Sequence, residues 1–173
     1  MKPERTQVFS QGMVAGLVGY AVVALTFAIA NVLMGRSPFH TAALLGGAAF
    51  YGLTDPARLV IGPGPVFAYN GFHLVVFLAL GVATSWLAYF SERGPHFWYI
   101  GAVLMLFVAF HLFGAFLFLT EGVRAAISPW MLILAGFLAM AAMSAYLVWV
   151  HPALRREFRD FAAQDSDLAE THN

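Results

Sequence analysis

The chain has 173 residues and a formal net charge of +0, with 61% of its residues hydrophobic and 10% charged. A soluble domain of this size cannot hide so much apolar surface from water, so lipid is the expected second solvent. The neutral balance argues against nucleic acid and other polyanions as partners. The absence of cysteine removes disulfides, thiolate metal sites and cysteine nucleophiles.

At the amino end, Lys2 and Arg5 precede a long apolar stretch. It outruns the ~7–15 residues of a signal core, and no small-residue cleavage site closes it before Arg36, so it is expected to stay as a first span over residues 10–34. The span stops at Gly35-Arg36-Ser37-Pro38. Gly12, Gly16 and Gly19 form a small-residue pattern that lets two helix backbones approach in lipid. That face serves packing within the chain, or contact with a second copy or another membrane protein.

The next apolar piece, residues 39–53, is too short to cross a bilayer and is expected to form an interfacial or re-entrant helix between Arg36-Ser37-Pro38 and Asp55-Pro56. Gly62-Pro63-Gly64-Pro65 is expected to bar regular structure. Further spans are predicted over residues 66–90, 97–119 and 129–150, with Ser128 as N-cap and Pro129 at the first helical position of the last. The fold class is thus an all-α integral membrane protein: a four-transmembrane-helix bundle with one short extra helix, in a single domain over residues 1–161. A basic amphipathic piece carrying Arg155, Arg156 and Arg159 follows, and residues 162–173 read as a disordered acidic tail.

Orientation follows from the excess of Lys and Arg on cytoplasmic flanks. With both termini inside, Lys2, Arg5, Arg93, Arg155, Arg156 and Arg159 lie on the inner side, against Arg36, Arg58 and Arg124 outside. A five-span alternative divides the same charges almost evenly. Both termini are therefore expected in the cytoplasm, in a bacterial inner membrane or its equivalent. Trp86, Trp98, Trp130 and Trp149 fall near predicted helix ends, as interface anchors do.

Polar groups at membrane depth are costly and are functional candidates for that reason. Asn31, His40, Asn70, His73, His111 and Glu121 all fall in the predicted outer half. His73 and His111, on neighbouring antiparallel helices, are candidates to ligate a haem, although their depths differ and there is no second pair. His40, His73 and His111 together would be a metal site. Packing and interfacial roles are the plainer reading of all three.

Asn31, Arg36, Asp55, Arg58, Asn70, Glu121 and Arg124 form a possible outer polar rim. Ion pairs among its charges are expected to tie the short helix to the turn before the last span. Phe107, Phe110, Phe113, Phe116 and Phe118 surround the third predicted span, suiting lipid or a quinone or pigment. The chain lacks dinucleotide, P-loop, zincin, nucleophile-elbow and zinc-finger patterns. The expected function is a non-catalytic accessory or structural subunit of a membrane assembly, without a cofactor. The alternative is an electron-transfer protein holding haem, quinone or metal in the outer half.

Overall fold

The computed structural model describes residues 5–91, 119–151 and 155–156, and among them the ordered elements are all helical. In chain order these are α1 (Arg5–Leu33), α2 (His40–Phe50), a 3-10 turn (Pro56–Arg58), α3 (Pro63–Ser91), α4 (Glu121–Ala125) and α5 (Pro129–Val150). Three of them, over Thr6–Leu33, Pro63–Tyr89 and Pro129–Val150, are long and apolar enough to cross a membrane. All but the last residue of the predicted span over residues 97–119, the tail over residues 162–173, and Trp98, Phe107, Phe110, His111, Phe113, Phe116 and Phe118 fall outside the described residues.

Helix α1 starts at Arg5, earlier than the apolar pattern suggests, because no proline or glycine interrupts Thr6 to Gln11. It ends as predicted: Gly35 takes φ +70, a left-handed conformation that side chains resist, and the Arg36 amide returns to the Asn31 carbonyl at 2.8 Å.

The start of α3 corrects the reading of Gly62-Pro63-Gly64-Pro65. Both prolines lie inside the helix, in its first turn. The first three positions of a helix have no intrahelical acceptor for their N–H groups, so a residue without an N–H costs nothing there. Val66, the first residue that needs an acceptor, donates to the Gly62 carbonyl.

Helices α1 and α3 are antiparallel and touch backbone to backbone at one end. A Cβ added at Gly12 would overlap Gly81 and Val82, and one at Gly16 would overlap the backbone of Phe77 and Leu78. Gly81 meets Gly12 and Gly16 from the other side. Ser85 Oγ adds a hydrogen bond to the Val8 carbonyl at 2.8 Å. Gly19 faces Met143 and Phe77, where α5 joins through Ala135, Ala139, Met143 and Leu147. The small-residue face of α1 is thus filled within the chain.

Helix α2 is a half-length helix resting on the start of α3, where Gly46 lies against the Pro65 carbonyl. It stops short of the predicted end at residue 53, because Gly52 turns the chain at φ +67 and the Leu53 amide returns to the Gly47 carbonyl at 2.9 Å. Leu44 and Leu45 pack with Val123 and Ile127 around α4. On α5, Trp130 and Trp149 are exposed and 19 residues apart. That spacing is ~28 Å along a helix, close to the thickness of a hydrocarbon core.

Candidate functional site

Beyond Gly19 the face of α1 that meets α3 changes from glycine to Tyr20, Val23 and Phe27, and larger side chains hold the helices apart. The gap is a cavity of about 890 Å³ bounded by α1, α3, the first turn of α2 and residues 61–63. Ligand pockets commonly occupy ~300–1,000 Å³. Its walls are mainly apolar, with Val23, Ala24, Phe27 and Ala28 on one side and Val66, Phe67 and Leu74 on the other. Pro38, Phe39 and Ala42 close the α2 end. Leu25 (61% exposed) and Phe67 (74% exposed) lie on the open side. Both residues lie on helices long and apolar enough to cross a membrane.

Four polar side chains gather at the deep end. Tyr20 donates its O–H to Asn70 Oδ1 at 3.0 Å, and Asn70 Nδ2 donates to the Val66 carbonyl one turn back at 2.8 Å. His73 is buried, with the Tyr69 ring stacked 5.0 Å away and the Phe77 ring 4.9 Å away. Tyr20 is 6.4 Å from His73 between ring centroids. Because α3 begins at Pro63, His73 lies ~15 Å along its axis, deeper than a start at residue 66 implies. It belongs to an aromatic cluster with Tyr20, Tyr69 and Phe77.

The other candidates have different places. Asn31 is buried at the α1–α2 junction, where Nδ2 donates to the Pro38 carbonyl at 3.3 Å and Oδ1 accepts from Thr41 Oγ1 at 3.1 Å. It fastens α2 to the end of α1 and is no part of an exposed rim. His40 opens α2, half-buried, and its pKa is held below 6.5 by partial desolvation and then by the Arg36 guanidinium. Arg36, Glu121 and Arg124 are exposed.

Asp55 accepts from the Ala57 amide at 2.9 Å and pairs with Arg58 at 3.8 Å, a local contact on the surface. A tie between the residue 54 loop and α4 runs through Thr120 Oγ1, which donates to the Thr54 carbonyl at 3.1 Å, and through the Leu44–Val123 cluster.

Among the described residues, no group of three His, Asp or Glu side chains is placed to hold a metal ion. The structure joins Asn70 and His73 to their helix neighbour Tyr69 and to a residue that sequence reasoning passed over, Tyr20. A signal for Tyr20 existed: it lies four residues beyond Gly16, on the same face of α1, where a tyrosine interrupts an otherwise apolar span. No protein-family model matches the chain, and no curated protein or solved structure is significantly similar to it.

Proposed function

We propose that this chain is a non-catalytic integral membrane protein that holds a neutral lipophilic molecule in the cleft between α1, α2 and α3. The observation that carries this reading is the cleft itself: a mainly apolar cavity with no Asp, Glu, Lys or Arg among the described residues that line it, and with Tyr20, Tyr69, Asn70 and His73 at its deep end. A site with few polar groups in a large apolar wall favours an uncharged ligand entered from lipid. Charged headgroups would find no partner there.

In this proposal residues 97–119 supply a fourth span. Both termini lie in the cytoplasm, following the six-to-three distribution of Lys and Arg, and the membrane is a bacterial inner membrane or its equivalent. Helix α2 dips in from the outer surface and caps the cleft without crossing. A place in a larger membrane assembly is compatible with this reading, and the exposed face of α5 carrying Trp130, Ile133 and Phe137 is the surface that would dock.

The test is mass spectrometry of an organic extract from the full chain purified in mild detergent, beside Gly71→Phe. Gly71 lines the cleft and a Cβ there meets nothing within 4 Å, so this position accepts a side chain, and a ring placed there competes with the ligand for the same space. A neutral lipophile retained by the native chain and lost from the variant supports the proposal. Bulk phospholipid alone in both extracts refutes it. An optical haem band abolished by His73→Ala would move the assignment to the haem reading.

A further inference from the structure

The deep end of the cleft offers more hydrogen-bonding capacity than helix packing uses. A side-chain amide has two N–H donors and two acceptor lone pairs. Asn70 spends one donor on the Val66 carbonyl and one lone pair on the Tyr20 hydroxyl, which leaves one of each, and the Tyr20 oxygen keeps its own lone pairs. Unused polar capacity is expensive inside a hydrocarbon layer. Beside it stands an aromatic platform, the Tyr69 ring, on which His73 stacks from one side, His73 being flanked in turn by Phe77. Donor, acceptor and platform all line one cavity.

We infer that this locus binds an uncharged, oxygen-bearing planar ring of the quinone and quinol class, with its apolar tail leaving past Leu25 and Phe67 into lipid. This rests on the cleft reading above and adds the chemistry of the head. A quinone carbonyl accepts from the remaining Asn70 N–H, and a quinol hydroxyl donates to the Tyr20 oxygen, so both forms find a partner. The ring lies along Tyr69, where offset stacking is favourable. An aliphatic alcohol would use one of these bonds and no platform. A fatty acid would bring a carboxylate to a wall that holds no Lys or Arg.

The experiment is equilibrium binding of tritiated decyl-ubiquinone to the full chain in lipid nanodiscs, corrected for empty discs, with decylbenzene as a probe of matched tail and ring but no oxygens. Saturable quinone binding is expected near one per chain and roughly tenfold tighter than decylbenzene, the equivalent of one or two neutral hydrogen bonds. Asn70→Leu is expected to lower quinone affinity roughly tenfold, and Tyr20→Phe, which removes the oxygen that accepts from a quinol hydroxyl, to lower affinity for the reduced decyl-ubiquinol roughly threefold, both leaving decylbenzene within about twofold. Tyr20→Phe keeps the packed ring, so it carries the test if Asn70→Leu folds poorly. Equal retention of both probes, indifferent to both substitutions, overturns the quinone assignment and leaves the cleft reading standing. No saturable binding of either probe overturns both.

Discussion

Helices α1 and α3 meet in two different ways along their length. Around Gly12, Gly16 and Gly81 the two backbones touch with no side chain between them. From Tyr20 and His73 onward the same pair separates, and the gap is left as a cavity capped by α2. The comparison shows how a membrane protein can make room without a special element. Small residues draw two helices together at one end, bulkier residues at the other hold them apart, and the position where glycine stops sets the floor of the cleft. In lipid this matters more than in water, because apolar burial gives helices little reason to associate and close packing supplies the attraction.

The closed end is where disruption should cost most. Gly16→Leu or Gly81→Leu drives a side chain into backbone that cannot yield, and each is expected to destabilise the chain by more than about 3 kcal/mol, read from unfolding in mixed detergent. A loss below about 1 kcal/mol would mean that the helices are not held by this contact. At the cap, Asn31→Ala removes the bonds to Thr41 and Pro38 and should cost about 1–2 kcal/mol, seen as faster hydrogen exchange through α2 with the Gly81 region unchanged. At the open end, Gly71→Phe should change stability by less than about 0.5 kcal/mol while displacing the ligand, the reverse of the result at Gly16.

The smallest effect concerns pH. His40 in the folded chain binds its proton less tightly than an unperturbed histidine, so the unfolded state takes up more protons as pH falls. The contribution is therefore favourable above pH 6.5 and is lost as pH drops through the window below it. A modest loosening of α2 is expected between pH 8 and pH 5, and Arg36→Ala should reduce it by removing the neighbouring positive charge. An unchanged pH response in Arg36→Ala would show that burial alone shifts His40.

Much of this architecture was legible in local chemistry. Long apolar runs marked α1, α3 and α5, Gly35 marked the end of α1, and the spacing of Gly12, Gly16 and Gly19 announced a close helix crossing. The first turn of α3 was hidden because Pro63 and Pro65 read as breakers, whereas position within a helix decides whether proline does harm. The tie from Thr120 to the Thr54 carbonyl was hidden as well, because it involves a backbone group that composition never reveals.

The cleft was least visible. It exists because two helices fail to touch, and a gap has no residue pattern of its own. Asn70 and His73 were recognisable as polar residues at depth, but their partner Tyr20 lies fifty residues from Asn70 in the chain. Only the antiparallel register set by the glycines brings them together.

The central claim, a chamber confined to the separated end of one helix pair, is tested most directly by photoaffinity labelling. The full chain in nanodiscs would be labelled with a diazirine-bearing alkyl probe, with and without excess unlabelled probe, and the modified peptides mapped. Labelling that competitor removes should fall on residues 20–28 and 61–74 and spare residues 8–16 and 77–85. Competed labelling spread evenly along both helices, or none at all, would contradict the account.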